Sequence, residues 1–469
     1  MAQDFRIEKD SLGEVKVPKD ALYAAQTQRA HENFPISGQR FGRRFIQALG
    51  LIKGAAAQSN AELGHISKRI GAAVARAAAE VADGQWDDQF VLDVYQTGSG
   101  TSTNMNANEV IAHRASQLLK GSKVHPNDHV NFAQSSNDVI PTAMHVAGRL
   151  AIENELIPAL EGLQKALRAK AKAFDKVLKS GRTHLMDATP VRLGQEFGGY
   201  ATQVARSIAR LERASEELAE LALGGTAVGT GINTDPKFAA KAIARISRET
   251  GLKFREAEDH FEAQGAKDAF VSASGALNAT AVALTKIADD IRWMGSGPTS
   301  GIGEIYLPSV QPGSSIMPGK VNPVMAEALI MACARTMGNH VTVTIGGSRG
   351  NFELNVMMPV MAHAFIDSVT ILTGAVRSFT DRCVVGIEAN KTRAKELLEK
   401  NPSIATALNP YIGYDEAAKI AKQSAKEGRS VRDVVQEKGL LKGAALDKAL
   451  DVRAMTEPGL PEGATGSAG

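Results

Sequence analysis

The segment Gly313 to Pro323 combines residue types that could do chemistry. It reads GSSIMPGKVNP, with two adjacent serines and one lysine among glycines and prolines, between stretches of helical periodicity. Glycine permits positive φ and proline fixes φ, so this composition indicates backbone held in a defined shape. A serine whose alkoxide is stabilised by backbone N–H groups could act as a base, and lysine suits a carboxylate ligand. The segment therefore indicates proton abstraction next to a carboxylate.

Three further polar segments each precede a long predicted helix. They read TGSGTSTNMNANE (97–109), HPNDHVNFAQSSND (125–138) and SGRTHLMDATP (180–190). A helix start presents unpaired N–H groups and the positive end of the helix dipole, so four starts that converge would bind an anion. We therefore expect the four segments to meet in one anion site. The alternative is that their Ser, Thr and Asn residues are ordinary helix caps, such as Asn322 before Pro323.

Other chemistries fit the same residues less well. In a phosphate-binding P-loop a Ser or Thr would follow the lysine, and Val321 stands there instead. The serines also lack the SxxK spacing to Lys320 that one class of acyl-transfer serine uses. His125 and His129 are four residues apart, as paired metal ligands can be, but no third ligand is evident. We therefore expect no metal site.

The overall composition limits the classes of protein to which this chain could belong. At 469 residues with 43% hydrophobic and 22% charged residues, the chain has an ordinary globular composition. A formal net charge of +3 gives no broad field for nucleic acid or an anionic membrane, so we expect neither as a partner. Cys333 and Cys383 form no disulfide framework, the first residues lack a signal-peptide pattern, and no uninterrupted apolar stretch reaches spanning length. We expect a cytoplasmic protein.

Apolar periodicity favours helix along most of the chain. Apolar residues repeat at three and four positions, which predicts a mainly α protein with a central bundle of long helices, at about 150–178, 197–218, 269–291, 324–341 and 359–377. The helix at 269–291 is small or apolar almost all round, so we expect it inside a bundle or at a subunit contact. The predicted domains are N-terminal, mixed but mostly helical (1–135), central bundle (136–390) and small C-terminal helical (391–469). We expect the tail from Thr456 to be mobile.

The four polar segments together resemble those of the fumarase/aspartase superfamily. GSSIMPGKVNP matches the superfamily signature GSSxMPxKxNP in full. The resemblance extends to LGEVKVP, NFPISG, WMGSGP and ALNPYIGYDEAAKIAK, and so covers nearly the whole chain. It implies a three-domain, mainly α fold whose long central helices assemble into a tetrameric helical core.

Within the superfamily, the chain resembles the class II fumarase branch. Aspartases typically have Ala at Gly319, Gln at His184 and Thr at Ser136. KVNP argues against argininosuccinate and adenylosuccinate lyases. Two departures occur: Ser122 stands where fumarases often have Arg, and NFAQSSND replaces the more familiar NKSQSSND. The first departure counts against a peripheral second carboxylate site, not against the catalytic one.

The resemblance implies reversible anti addition of water to fumarate, giving (S)-malate in the tricarboxylic acid cycle through an aci-carboxylate intermediate, with no metal or organic cofactor. Ser314 matches the base, His184 the histidine that manages the reacting water, and Glu327 the acid paired with that histidine. The residues that match substrate-binding positions are Ser99, Thr101, Asn104, Ser135, Ser136, Asn137, Thr183, Ser315, Lys320 and Asn322. A further set, His125, Asn127 and Asp128, matches the peripheral site.

The resemblance also implies an oligomeric assembly, and two alternative functions remain. Helices from four subunits would form one bundle in a homotetramer, and each active site would take its segments from three chains. One rival is an aspartate ammonia-lyase of the same superfamily, which His184 and Gly319 disfavour. The other is a non-catalytic structural protein with the same fold, against which the intact Ser314, Lys320 and Asn322 argue.

Overall fold

A computed structural model describes residues 4–459 of the chain, and these residues are mainly helical, as predicted. The helices are α1 (Ala25–Asn33), α2 (Arg43–Leu63), α3 (Lys68–Ala82), α4 (Thr101–Leu118), α5 (Ser136–Ala151), α6 (Ile157–Ala173), α7 (Leu193–Glu217), α8 (Phe238–Thr250), α9 (His260–Gly265), α10 (Asp268–Met294), α11 (Val324–Gly347), α12 (Met358–Arg382), α13 (Lys391–Glu399), α14 (Asn409–Ile412), α15 (Tyr414–Glu427), α16 (Val431–Glu437) and α17 (Gly443–Ala449).

The strands of the described residues pair in twos. The pairs are β1 (Phe5–Asp10) with β2 (Gly13–Pro18), β3 (Leu178–Thr183) with β4 (Met186–Arg192), β5 (Glu220–Leu221) with β6 (Arg255–Glu256), β7 (Ile305–Tyr306) with β10 (Glu388–Ala389), and β8 (Gly350–Asn351) with β9 (Leu354–Asn355). The β5–β6 pair is parallel and the other pairs are antiparallel. These small sheets connect and brace helices and form no central layer.

The described residues form two compact units. Unit 1 comprises 4–159, Ser207–Val282 and Ala332–Gly374. Unit 2 comprises Leu160–Arg206, Ala283–Met331 and 375–459. Helices α7, α10, α11 and α12 each contribute residues to both units. The domain boundaries at residues 135 and 390 remain a prediction.

In unit 1, the helices α2 and α3 pack backbone to backbone. A Cβ at Gly50 would lie 2.6 Å from the Ala82 nitrogen and 2.7 Å from the Ala78 oxygen, so only glycine fits this crossing. Ser67 caps α3, because its Oγ accepts a hydrogen bond of 3.2 Å from the Ile70 N–H. This close pair fixes α2, whose buried face reaches the candidate site.

Helix α4 is tied to α1 by one buried carboxylate. Glu109 accepts hydrogen bonds from the backbone N–H groups of Ala24 (2.9 Å), Gln26 (3.0 Å) and Thr27 (3.1 Å). These donors lie at the start of α1, where a carboxylate also complements the helix dipole. Burial raises the pKa of Glu109, and the hydrogen bonds from Thr27, Ala24 and Gln26 oppose that shift. Glu109, the last residue of the polar segment 97–109, thus has a structural role.

The predicted bounds of the helix at 150–178 are wrong at both ends. Helix α5 runs through its start and ends at Ala151, a π-helical stretch Ile152–Leu156 follows, and α6 ends at Ala173. The backbone then turns: the Leu193 N–H donates to the Val177 carbonyl at 2.9 Å, and Leu178 begins β3. Leu178 fits the helical spacing by chance, because a strand residue facing the core is also apolar.

The other predicted long helices are confirmed, with α11 and α12 extending past their predicted ends. The segment Met358–Gly386, which contains α12, is by length and composition long and apolar enough to cross a membrane, with a mean hydropathy of 1.4 in its most apolar 18-residue window. The expectation concerned uninterrupted apolar stretches, and His363, Asp367 and Arg377 interrupt this one. Phe365 of α12 packs on Phe270 with ring centroids 4.4 Å apart in unit 1, and 56% of the segment's most apolar window is buried, as in the core helix of a soluble protein.

The C-terminal helices of unit 2 form their own hydrophobic cluster. Leu408, Ile420, Val434 and Leu446 are fully buried in it. Past α17, Arg192 donates to the Thr456 Oγ1 at 2.9 Å and pairs with Glu457 at 3.1 Å, so the tail is held at its first residues. The rest of the predicted mobile tail, 460–469, lies outside the described residues.

Candidate active site

The two ends of the loop 313–323 are hydrogen-bonded to each other, at Gly313 and at Lys320 and Asn322, and we call this closure the neck of the loop. The Gly313 N–H donates to the Lys320 carbonyl at 2.9 Å, and the Asn322 side-chain amide donates to the Gly313 carbonyl. A Cβ at Gly313 would lie 2.2 Å from the Lys320 oxygen, so this neck requires glycine. Gly319 has φ +79°, the left-handed region that glycine adopts without strain. The side-chain amide of Asn322 thus holds the loop, a role different from the helix cap that was the alternative interpretation.

Within this loop, the Ser314 side chain faces two backbone donors. Its Oγ accepts hydrogen bonds from the N–H groups of Ile316 at 3.2 Å and Met317 at 3.0 Å. Such donors stabilise negative charge on the oxygen, as an oxyanion hole does. The same geometry is also that of a local serine turn. Ser315 is exposed, and Ile316 is 83% exposed beside it.

The side chains of Lys320 and Glu327, the other predicted residues of this loop region, form no hydrogen bond or ion pair with the described residues. Lys320 is exposed and forms no ion pair with any residue between 4 and 459. Glu327 lies in the first turn of α11 and is partly buried. Within unit 2, no hydrogen bond among the described residues joins His184 to Glu327, Ser314 or Lys320. The pairing of His184 with Glu327 implied by the resemblance is therefore not made inside this unit.

Thr183 and His184 lie at the tip of a β-hairpin, and α7 begins directly after this hairpin, so segment 180–190 precedes a long helix as predicted. Thr183 ends β3, and the two-residue turn His184–Leu185 leads into β4. Both turn residues have positive φ, +58° and +61°, as a type I′ turn requires. Asn-Gly or Asp-Gly usually signals such a turn, and neither is present. His184 and Leu185 are exposed, so the turn presents the imidazole outward.

A buried ion cluster anchors strand β3 of this hairpin. Arg182, next to Thr183, donates two parallel hydrogen bonds of 2.9 Å to the carboxylate of Glu304, whose side chain has no exposed surface. Lys179 on the same strand pairs with Glu304 at 3.2 Å and with Glu196 of α7 at 2.8 Å. Burial raises the pKa of Glu196, although Lys179 opposes that shift. Glu304 directly precedes β7, the strand that leads to the 313–323 loop.

In unit 1, the start of α4 forms a tight polar turn. Ser99 Oγ and Thr101 Oγ1 are 2.9 Å apart and share a hydrogen bond. A Cβ at Gly98 would lie 1.8 Å from the Val356 oxygen, so glycine is required there. Gly100 has φ +72° and caps α4. This turn fixes Ser99 and Thr101 at the N-terminus of α4, where the predicted anion preference applies.

Asn104, one turn into α4, reaches the start of α5. It is 1% exposed, and its Nδ2 donates to Asn131 Oδ1 at 3.2 Å and Ser136 Oγ at 3.3 Å. Its Oδ1 is buried and accepts no hydrogen bond from the residues that the structure describes. Asn104 and Ser136, both predicted substrate contacts, are therefore neighbours.

The start of α5 is held by a capping box. Ser135 Oγ accepts from the Asn137 N–H at 3.2 Å, and the Ser135 N–H donates to Asp138 Oδ1 at 2.9 Å. Asp138 also accepts from the N–H groups of Gly224 and Thr226, both at 3.0 Å. Burial raises the pKa of Asp138 to about 6. Ser135 is thus a helix cap here, and the Asn137 side chain bonds the Ala227 carbonyl at 2.7 Å.

The sequence reasoning missed a buried lysine beside these residues. Lys53 of α2 has no exposed surface, and its Nζ donates to Asn131 Oδ1 at 2.8 Å and Gln134 Oε1 at 3.0 Å. Its sequence signal is a single charge in an otherwise apolar run, ALGLIKGAAA. Burial lowers the pKa of Lys53 to about 7, partly opposed by Asp138.

The peripheral residues form a local motif. His125 caps the π-helical stretch Pro126–Val130, because its Nδ1 accepts from the N–H groups of Asn127 (3.3 Å) and Asp128 (3.1 Å). The Asp128 carboxylate lies 3.2 Å from the same nitrogen, and both side chains are largely exposed. His129 Nδ1 accepts from the His125 N–H at 2.8 Å. Across residues 4–459, no group of three His, Cys, Asp or Glu side chains could hold a metal ion.

Two family models match the chain. The model described as Lyase matches residues 13–338, and the model described as Fumarase C C-terminus matches residues 404–457. The fold and the loop together therefore define a lyase.

Relatives and solved structures narrow the class. Fumarate hydratase class II of Halobacterium salinarum is 55% identical over 467 residues, which cover 99% of each chain. Fumarate hydratase class II of Mycobacterium tuberculosis is 53% identical over 459 residues, which cover 97% of this chain and 96% of the relative. The crystal structure of class II fumarase from Schistosoma mansoni matches with a TM-score of 0.94 at 38% identity, covering 97% of this chain and 99% of that one. The chain belongs to the class II fumarase family.

Proposed function

We propose that the chain catalyses the reversible anti addition of water to fumarate, giving (S)-malate. Membership of the class II fumarase family supports this activity. The observation that carries the proposal is the pair of N–H groups, from Ile316 and Met317, that point at Ser314 Oγ. A serine hydroxyl is a poor base at neutral pH, and these donors lower the cost of its alkoxide.

The reaction can be written in the malate direction. The Ser314 alkoxide takes the C3 proton, and the electron pair of the broken C–H bond moves onto the adjacent carboxylate to form an aci-carboxylate. Lys320 and Asn322 hold this carboxylate more tightly as its charge grows. The C2–O bond then breaks, the electron pair returns to form the double bond, and the hydroxyl leaves as water with a proton supplied through His184. Hydration of fumarate is the reverse.

The active site is completed by other copies of the chain in a homotetramer, with segments from three chains at each site. Support comes from unit 2, where His184 makes no hydrogen bond to Glu327. It also comes from large apolar side chains that are exposed on α10 and α11: Val282, Met331, Val341 and Ile345. Exposed apolar surface of this kind marks contact surfaces. Light scattering of the active enzyme should give four chain masses, and a fully active monomer would contradict the assembly.

The cellular location is the cytoplasm, as the composition predicts. Support comes from Cys383, which is buried and forms no disulfide. Fractionation of the source cells should recover the activity with soluble cytoplasmic markers.

One assay tests the activity and separates the rivals. The purified protein is incubated with (S)-malate or with aspartate, and the ultraviolet absorbance of the new double bond is followed. We expect absorbance to rise with malate and to stay level with aspartate. A rise with aspartate alone would make the protein an aspartate ammonia-lyase, and no rise with either would favour a structural role.

A further inference from the structure

The ammonium of Lys53 holds together the segment that carries the predicted contacts of unit 1. It donates to two side-chain amides of this segment, Asn131 at 2.8 Å and Gln134 at 3.0 Å. The Gln134 amide then donates to the Val130 carbonyl at 3.0 Å and the Phe132 carbonyl at 3.2 Å. One buried cation therefore organises the backbone between Val130 and Ser135.

This segment adopts a conformation that needs such support. Ala133 has φ +59°, a left-handed conformation that costs free energy for a residue with a Cβ. A second residue of α2, Asn60, donates to the Phe132 carbonyl at 3.0 Å. Lys53 and Asn60 are seven residues apart on α2, so they share one face of the helix. Side chains on that face therefore form hydrogen bonds with residues on both sides of Ala133.

From Lys53, hydrogen bonds lead directly to two predicted substrate contacts. Asn131 Oδ1 accepts from both Lys53 and Asn104, and Asn104 Nδ2 also reaches Ser136 Oγ. This arrangement fixes which way the Asn104 amide faces. The Asn104 oxygen is left buried without a hydrogen bond from the described residues, which is costly unless a ligand or another group donates to it.

The buried position of Lys53 is energetically unfavourable for a cation. Burying an ammonium costs several kcal/mol, and neutral amides repay only part of this. The charged group facing Lys53 is Asp138 on α5, and burial raises its pKa to about 6. Since the hydrogen bonds to neutral amides repay only part of this cost, stability alone does not explain this lysine.

We propose that Lys53 is a positioning residue of the active site, which orients Asn104 through Asn131 and brings positive charge to the dicarboxylate substrate. The inference rests on the proposed function, since it needs a dicarboxylate at Asn104 and Ser136. It assigns to α2, which contains none of the four polar segments, an indirect share in substrate binding.

A matched pair of buried lysines tests the proposal. Lys267 of unit 1 is also buried, and burial lowers its pKa to about 7. Among the described residues, its Nζ bonds only backbone carbonyls, those of Ala263 at 2.8 Å, Gln264 at 2.9 Å and Ala266. Lys53→Met and Lys267→Met are compared for thermal midpoint, kcat and KM.

We expect Lys53→Met to lower kcat/KM about 10- to 100-fold, the effect of one lost hydrogen bond to a charged group, and to lower the thermal midpoint, because Asn131 and Gln134 lose their buried donor. Lys267→Met should lower the midpoint and leave kcat/KM unchanged. A Lys53→Met enzyme with wild-type kcat/KM and a lowered midpoint would overturn the proposal. An inactive wild type would instead overturn the proposed function.

The wild type gives a second test should Lys53→Met fail to fold. With a folded-state pKa of about 7, Lys53 loses its charge as the pH rises through neutrality. The inhibition constant of succinate, an unreactive dicarboxylate, should therefore weaken between about pH 7 and about pH 9, above the pH at which the facing carboxyl of Asp138 becomes charged. A constant that is flat over this range would overturn the proposal.

Discussion

The two sets of predicted site residues differ in how firmly the protein holds them. In unit 1, Asn104 and Ser136 are buried and hydrogen-bonded to each other within the network of Lys53. In unit 2, Lys320 and His184 are exposed, one on a loop closed at its neck and one on a two-residue turn. The predicted contacts of unit 1 are thus preorganised, while Lys320 and His184 of unit 2 project from the surface. The exposed groups of unit 2 lie on a loop and a turn, the kind of element that moves when substrate binds in many enzymes.

The largest expected effect comes from the projecting set. Ser314→Ala removes the proposed base and leaves the Ile316 and Met317 N–H groups without their acceptor. We expect turnover of malate to fall by at least about 10²- to 10³-fold, the effect of losing one charge-stabilising group. The thermal midpoint should not change, because the loop is exposed.

Ser309→Ala is the matched control, since Ser309 is an exposed serine that lies before the same loop. Its turnover should equal that of the wild type. Equal turnover in Ser314→Ala would remove Ser314 from the mechanism and with it the contrast between the two sets.

The sequence was most informative where function depends on local backbone shape. The glycines of GSSIMPGKVNP predicted a shaped loop, and Gly313 and Gly319 are required at a close contact and at a positive φ. The helix starts at Thr101 and Ser136 were likewise indicated by their polar residues. Such features depend on near neighbours in the chain, which the sequence displays directly.

Features that depend on distant neighbours were missed. The hairpin of Thr183 and His184 has no turn-forming dipeptide, and the ion pair between Arg182 and Glu304 that anchors it joins residues far apart in the chain. Lys53 is visible in the sequence only as a charge in an apolar run, and its partners come from a segment after α4. Spacing along one chain cannot reveal contacts of this kind.

Gly313→Ala tests whether the loop must keep its closed neck. The new Cβ would lie 2.2 Å from the Lys320 oxygen and 2.9 Å from the Asn322 nitrogen, so the neck must open. Displacing Ser314 and Lys320 by about 1 Å should lower turnover about 10²-fold, with little change in stability.

Gly162→Ala on α6 is the control, because its Cβ would meet no atom within 4 Å. It should raise the free energy of unfolding by about 0.5–1 kcal/mol and leave turnover unchanged. If Gly313→Ala were as active as Gly162→Ala, the loop would tolerate an open neck and its closed shape would not matter to catalysis.

Arg182→Lys tests whether the hairpin must be held rigidly. Lysine keeps the charge but cannot reproduce the two parallel hydrogen bonds to Glu304. We expect kcat to fall about 10- to 100-fold as His184 loses its fixed position, with a smaller change in KM. The measurement is steady-state kinetics with malate.

Arg192→Lys provides the comparison on the other strand of the hairpin. Arg192 pairs with Asp175 at 2.8 Å, but the Asp175 side chain is half exposed, and such pairs contribute about 0–1 kcal/mol. Its kinetics should stay close to those of the wild type. The rigid-anchor interpretation fails if both arginine variants have the same kcat.

The smallest effect on turnover is expected at the peripheral residues. His125 already serves as the cap of the stretch Pro126–Val130, and Ser122 stands where fumarases often have an arginine. His125→Ala should therefore cost about 0.5–2 kcal/mol of stability, as for other lost caps, and change kcat/KM less than about tenfold. Ser67→Ala, which removes the cap of α3, should behave alike. A tenfold loss of kcat/KM in His125→Ala alone would show that a second carboxylate site outside both sets takes part in the reaction.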